Sequence, residues 1–460
     1  MSSLFFSGHI RLTVFLVTLL FLILHSSSQS DQRQLLLKFK SALSNSKTEV
    51  FNAWNKETPL CNFTGIVCNF NKEVKEINLS QQKLSGTLAF DSLCAIKSLE
   101  KLSLGANMLS GTISNQLSNC TSLQYLDLGM NFFTGVVPDL SRLSQLKFLS
   151  LNLSGFTGRF PWESLRNLTR LSFLSLGDNP FDKTPFPLEI LNLQYLSSLY
   201  LTNCTIEGRI PEAIGNLSLL ESLQLSDNYL VGEIPVGVTK LINLQMLELY
   251  NNQLTGTLPV GLSNLVNLAE FDVSTNLLFG DLSELRGLSR LESLQLFENG
   301  FSGTIPEEFG EFKYLKQFSI YTNKFEGQVG RNIGEAKSLA QLFLANNRFS
   351  GELPVEISNV SSLVEIRLTS NLSPVSHKSG QVKLAMYCFI AVAVVLMFSL
   401  SYLLFVKLSK IDRKIPMNRG GSWDVKQFHV LKFSEDEIVR SLTPENIIGK
   451  GGSGTFIKSI

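Results

Sequence analysis

Histidine is almost missing from this 460-residue chain: its four copies are His9, His25, His377 and His429, and the long stretch between His25 and His377 has no imidazole. Neither a His-based triad nor a His-containing metal cluster can form there. An excess of either charge is missing too, since 40 Lys+Arg face 39 Asp+Glu for a net of +1, and the basic surplus that nucleic-acid binding needs is absent. Adjacent acids such as Glu307 with Glu308, or Asp436 with Glu437, read as solvated faces or helix starts. No catalytic set, cofactor or metal site is expected, and no nucleic-acid partner.

Long hydrophobic runs are also few, and both need assigning before any fold is argued. Leu12 to Leu24 follows Arg11 and leads into Ser26, Ser27, Ser28, Gln29 and Ser30, the layout of a secretory signal peptide over 1–30. Leu384 to Val406 is uncharged, has Tyr387 and Tyr402 near its ends, and is followed by Lys407, Lys410, Arg413, Lys414 and Arg419. It is expected to be one transmembrane helix in a lipid bilayer, with the basic side cytosolic and the N-terminus outside. That gives a single-pass, type I protein of the plasma membrane. Asn-x-Ser/Thr sequons agree with this topology, because Asn62, Asn78, Asn119, Asn152, Asn167, Asn203, Asn216, Asn359 and Asn371 all precede the second run.

What fills the chain between the runs is a repeat. The frame Leu-x-x-Leu-x-Leu-x-x-Asn-x-Leu-x-Gly-x-Ile-Pro returns every 23 to 25 residues, as at Leu220, Leu223, Leu225, Asn228, Leu230, Gly232, Ile234 and Pro235. Its central apolar position falls at Ile77, Leu102, Leu126, Leu149, Leu174, Leu199, Leu223, Leu247, Phe271, Leu294, Phe318 and Leu342, which makes twelve complete copies over 73–373. A thirteenth starts at Ile366 and Leu368 with Asn371 and loses the frame at Ser373. Each Leu-x-Leu makes a short strand, and stacking the strands gives an α/β solenoid: a leucine-rich-repeat horseshoe with a parallel concave sheet.

The recurrent Asn107, Asn131, Asn179, Asn228, Asn252, Asn276, Asn299, Asn323 and Asn347 are expected inside, bonding backbone that turns off the sheet; Cys204 replaces one as a space-filler. A solenoid also needs a lid. Residues 31–72 supply one, with Leu35, Leu36, Leu37 and Phe39 on a helix, then Trp54 and a Cys61–Cys68 pair. Cys94 and Cys120 show no partner by spacing, and Cys388 lies in the second apolar run.

Trp54, Cys61 and Cys68, followed by repeats carrying Leu-x-Gly-x-Ile-Pro, resemble the plant leucine-rich-repeat receptor-like kinases, with Phe63 at the place of a frequent second Trp. The stretches that begin at Ser92 and at Glu248 look nearest to the HAIKU-type branch of peptide-hormone receptors. The resemblance covers 31–370 and 384–460, and implies a secreted peptide ligand, a co-receptor kinase or full-length receptor kinase as partner, and a cytosolic Ser/Thr kinase. Two departures stand out. The resemblance implies roughly twenty repeats and a second cysteine-bearing cap, whereas here a linker at 374–383 reaches the membrane run at 384–406. Inside, 407–460 is expected to be a short, mostly disordered tail with the start of a kinase glycine loop at Gly449, Gly451 and Gly454 after Asn446. Phe456 stands where a small residue faces adenine, and the lysine, catalytic Asp and metal-holding Asp of phosphoryl transfer are not among the 460 residues. A non-enzymatic receptor-like protein is expected, acting as a decoy or through a partner. A truncated receptor kinase and a structural cell-surface adhesion module are the alternatives.

The ligand would meet the outward positions of the strands. Tyr200, Gln224, Glu248, Tyr250, Asp272, Phe297, Tyr321 and Phe343 form the candidate stripe, rich in rings and acids, that suits an extended basic or Pro-containing peptide.

Overall fold

The computed structural model describes residues 31–43, 49–371, 447–451 and 454–457. The signal peptide, the 374–383 linker, the transmembrane run at 384–406 and the tail up to 446 lie outside the described residues, as does Cys388. Among the described residues no helix is long and apolar enough to cross a membrane. The chain divides into a unit up to Leu372 and a second from Ser373.

In the first unit, short strands line one long sheet of fourteen, from Ile66–Cys68 and Val74–Asn78 to Glu365–Arg367. The first pair is antiparallel and every later pairing is parallel, in repeat order. Register follows the apolar marker: Leu199 lies beside Leu223, then Leu247, Phe271 and Leu294. All five are completely buried, so the side of each strand that reads as constant in sequence is the side that builds the core. The incomplete thirteenth repeat also makes its strand, with Ile366 beside Leu342.

The chain leaves each strand through a left-handed residue, among them Asp227, Asn251, Thr275 and Glu298 with φ between 51° and 54°. The asparagine that follows gathers the backbone groups this bend orphans. Asn228 is representative: its Nδ2 donates to the carbonyls of Leu201, Leu225 and Ser226 at 2.9, 3.0 and 2.9 Å. Its Oδ1 accepts from the N–H groups of Cys204 and Ile206 at 3.1 and 2.9 Å. The expected ladder is present, with Asn371 as its last rung. Two rungs differ. Cys204 is buried with Sγ 3.5 Å from the Leu176 carbonyl, and burial pushes its thiol well up, so it fills space as expected. Ser154 is the other, its hydroxyl donating to the Leu128 carbonyl at 2.9 Å.

After the ladder most repeats make a second strand of two to four residues on the flank, which the reading of one concave sheet did not foresee; the repeat after Leu149 makes only a single bridge, Gly158 to Phe181. Eight of these form a parallel sheet from Thr184–Pro185 to Arg348–Phe349, and three more pair from Ser85–Gly86 to Phe132–Phe133. The Leu-x-Gly of the frame accounts for it: the buried leucine anchors the strand, and a glycine with positive φ, as at Gly256 (84°), turns the chain out of it. The convex side carries single 3-10 turns such as Glu212–Asn216 and Val236–Lys240, which these two repeats enter through Pro211 and Pro235, whose missing N–H costs nothing there. Neighbouring turns touch so closely that a Cβ on Gly237 would lie 2.0 Å from the Glu212 carbonyl.

The lid forms as expected. A helix over 31–42 buries Leu36 and Phe39, and Trp54 is 1% exposed. Phe63 stacks on Trp54 at 5.3 Å between centroids, so a phenyl ring occupies the place of the second tryptophan. Gln32 Oε1 accepts from the Val74 N–H at 2.8 Å and ties the lid to the first repeat. Cys61 and Cys68 are bonded. The expectation that Cys94 and Cys120 lack partners is wrong: they are bonded to each other, with Cα atoms 4.4 Å apart. Residues one period apart are side by side in a solenoid, so a separation of 26 in sequence is short in space.

In the second unit Ile447–Gly451 pairs antiparallel with Gly454–Ile457. Gly449 lies opposite Phe456, and Gly451 opposite Gly454.

Candidate ligand-binding face

Side chains alternate along a strand, so residues one before, one after and three after each marker leucine face the concave side. All eight stripe residues occupy these columns and all are half-buried. They span seven neighbouring strands, Ser198–Tyr200 to Gln341–Phe343, or roughly 29 Å at the usual strand spacing.

Three groups emerge within that span. First, the Tyr200 hydroxyl donates to the Asp178 carboxylate, and burial together with that bond raises its pKa. Second, Glu248 and Asp272 are register partners, with Gln224 on the preceding strand and Tyr250 on the same side. Burial, then the charges of Asp272 and Glu270, push the Glu248 carboxyl up to about 7. Burial pushes Asp272 up to about 6, opposed by the Ser274 hydroxyl and N–H, which both donate to it. Burial and the surrounding acids also raise the Tyr250 phenol. Two half-desolvated carboxyls on adjacent strands repel each other as anions, and a cation between them would relieve both. Third, the Phe297 and Tyr321 rings are stacked at 4.5 Å. Phe343 is not continuous with them. Arg367 lies 4.6 Å over its ring and is held by Glu365, so this end of the stripe presents a cation.

Sequence reasoning missed a further concave feature in earlier repeats. Tyr125, Phe148 and Phe173 stand directly before their marker leucines and stack face to face, with centroids 4.0 and 4.2 Å apart and planes within 7°. The Lys101 ammonium covers the outer Tyr125 face at 4.8 Å. The signal was visible as three successive aromatic residues in one column. Also missed were three buried hydroxyls on concave columns, Thr202, Ser226 and Ser319, which find no hydrogen-bond partner.

The sequons separate by place. Asn119, Asn167, Asn216 and Asn359 each end a 3-10 turn at the same position in their repeats, and Asn62, Asn78 and Asn203 are exposed. Asn152 is partly exposed on the concave side. Asn371 does not fit its assignment as a glycan acceptor. Its Nδ2, the atom a glycan would take, donates to the carbonyls of Leu344 and Leu368, and its Oδ1 accepts from the Phe349 N–H. Among the described residues no cluster of His, Cys, Asp or Glu side chains could hold a metal ion.

Known proteins share this architecture. Residues 29–69 match the leucine rich repeat N-terminal domain, and 195–217, 243–265, 290–312 and 338–360 match the Leucine Rich Repeat. Among Arabidopsis thaliana relatives, Receptor-like protein kinase 7 is 55% identical over 208 residues, 45% of this chain and 21% of that protein. Receptor-like protein kinase HAIKU2 is 45% identical over 211 residues, 43% of this chain and 21% of that protein. The chain thus spans about a fifth of the length of the curated relatives it matches. The solved PEPR1–AtPEP1 structure superposes with a TM-score of 0.64 at 33% identity, covering 75% of this chain and 52% of that one. The Arabidopsis receptor kinase HAESA, in complex with the peptide hormone IDA and the co-receptor SERK1, gives 0.63 at 29% identity, covering 74% and 66%. The resemblance to leucine-rich-repeat receptor-like kinases therefore rests on homologues across the repeat region as well as on motifs.

Proposed function

We propose that the repeats are the ligand-recognising part of a single-pass plasma-membrane receptor that binds a secreted peptide along the concave face. Output in this reading comes from a co-receptor kinase or a full-length receptor kinase, with no phosphoryl transfer assigned to these 460 residues. The observation that carries it is the band of half-buried rings and carboxyls on seven adjacent strands, facing away from the core. A main chain laid across those strands would meet a ring or an acid at almost every step. The peptide-bound relatives support the same reading.

The test is capture of extracellular peptides by the purified full chain in detergent micelles, compared with a variant carrying Tyr250→Ala, Asp272→Asn and Phe297→Ala. Peptides held by the wild type and lost by the variant are expected. Equal recovery from both would remove the concave face as the site.

A second reading has one observation in its favour. The antiparallel pair that carries Gly449, Gly451 and Gly454 has the shape of a kinase glycine loop, which fits a chain that is the front part of a Ser/Thr receptor kinase. Sequencing the transcript beyond the codon for Ile460 decides it: continuing kinase motifs would assign phosphoryl transfer to the intact product.

A further inference from the structure

The column directly before the marker leucines reads Lys101, Tyr125, Phe148, Phe173, Ser198, Ser222, Met246 and Glu270 in successive strands. Its aromatic stack is closed at one end, where the Lys101 ammonium covers Tyr125. At the other end it stops at Phe173, because the next two rungs are serines. Strands lie about 4.8 Å apart, so the span from Phe173 to Met246 leaves two rungs without a large side chain, a slot roughly 10 Å wide. Its floor is Ser198 and Ser222, the latter accepting from Gln224 Nε2 at 2.9 Å and donating to the Met246 thioether at 3.6 Å, so Met246 leans against the second rung. Tyr200 does not fill it: that ring leans the other way, so that a Cβ on Gly177 would lie 2.3 Å from Tyr200 Cε1. One wall is therefore the free end of a stack whose members sit close and parallel, and the other is a flexible thioether.

Beyond Met246 the surface turns acidic. Glu248 is on the same strand as Met246, Glu270 and Asp272 are on the next, and among the described residues no Lys or Arg forms an ion pair with any of them. Beside the slot and the acids, Thr202 and Ser226 are 5% and 0% exposed, face the concave side, and have hydroxyls without partners.

Resting on the peptide-binding reading, we infer that the slot beyond Phe173 takes a flat side chain of the ligand, an aromatic ring or a proline, and that Glu248, Glu270 and Asp272 take a lysine or arginine about three residues further along. The spacing follows from geometry: the slot centre and the acid centre are two strands apart, about 10 Å, and an extended peptide advances about 3.3 Å per residue. A flat group in the slot extends the stack by one rung, and the cation relieves the repulsion between Glu248 and Asp272, whose carboxyls burial pushes up.

The experiment uses the full chain in detergent micelles and a synthetic peptide library on a neutral Gly/Ser/Asn background. One position carries Tyr, Phe, Pro or Ala, and Arg, Gln or Glu is placed two to five residues later. Enrichment of a flat residue followed by Arg three later is expected, by at least tenfold over Ala or Glu at those positions. Ser198→Trp, a change on an open strand face, fills the slot and should erase the flat-residue preference while keeping the preference for Arg. Glu248→Gln with Asp272→Asn should do the reverse, and Phe173→Ala should weaken the flat-residue preference alone. Peptides that bind through Tyr250 without either preference, or with Glu favoured over Arg, overturn the inference and leave the receptor reading standing. If neither this library nor the extracellular pool yields a peptide sensitive to Tyr250→Ala, both fall.

Discussion

The two sides of the same three-residue strands obey different rules. Inward, the marker column holds leucine, isoleucine or phenylalanine in every repeat, and from Ile77 to Leu342 its members are wholly buried. Outward, the neighbouring column passes from Lys101 through three rings to two serines, a methionine and a glutamate. A solenoid stacks like on like, so the inward side has one solution repeated, while the outward side is free to encode a ligand. Substitutions on the inner side should cost stability and leave no binding to measure. Those on the outer side should cost binding and spare the fold.

The largest effect is expected inside, at a ladder rung. Asn228→Ala removes a bond from three carbonyls and two N–H groups; the Leu225 and Ser226 carbonyls keep Asn252 Nδ2 and the Asn203 N–H, so three groups are orphaned, and at about 1–3 kcal/mol each the repeats should be destabilised by about 5 kcal/mol. Denaturant unfolding should then split into two transitions, since coupling passes only between neighbours. Next is the lid: Trp54→Ala empties a site packed by Phe39, Phe51 and Phe63 and should cost about 3–5 kcal/mol by the same measurement. Cys94→Ser with Cys120→Ser opens a 26-residue loop and should cost about 3 kcal/mol, an effect that vanishes in reductant.

On the outer side Tyr250→Ala should weaken peptide affinity at least tenfold in calorimetry, with a change in thermal midpoint well below those of the interior variants. The smallest effect concerns pH. Glu248 and Asp272 bind protons more tightly folded than unfolded, so they favour the fold at low pH and lose that contribution as pH rises through about 6 and about 7. Glu248→Gln should therefore match the wild type in thermal midpoint near pH 4.5 and exceed it above pH 7.5. A cationic ligand should bind the wild type better as pH rises over the same interval.

How much of this the sequence revealed follows the same division. The strand positions, the ladder and the lid were legible because a periodic constraint repeats its signature, and Asn228 means the same thing as Asn252. Cys94 and Cys120 escaped because pairing was judged along the chain rather than across one turn of the solenoid. The flank sheet escaped because strands such as Tyr229–Gly232 and Gln253–Gly256 each bury a single leucine before a glycine, without the Leu-x-Leu alternation that marks the concave strands. Of the candidate face, the rings and acids of the stripe were placed on the outward columns that they occupy. The Tyr125–Phe148–Phe173 stack was not foreseen, because the stripe drew only on the positions one and three after the marker, and these rings stand one before it. Asn371 was read as a sequon because Asn-Leu-Ser satisfies two patterns, and only the structure shows which one claims the side chain.

The most direct test of the central claim compares the two faces in one molecule. A photoreactive phenylalanine analogue is introduced at Gln224 on the concave side or at Val260, 77% exposed on the convex side, and the full chain is irradiated with peptides captured from the extracellular pool. Peptide crosslinked at Gln224 and competed by excess unlabelled peptide, with none at Val260, is the expected result. Crosslinking at Val260 and none at Gln224 would contradict the account.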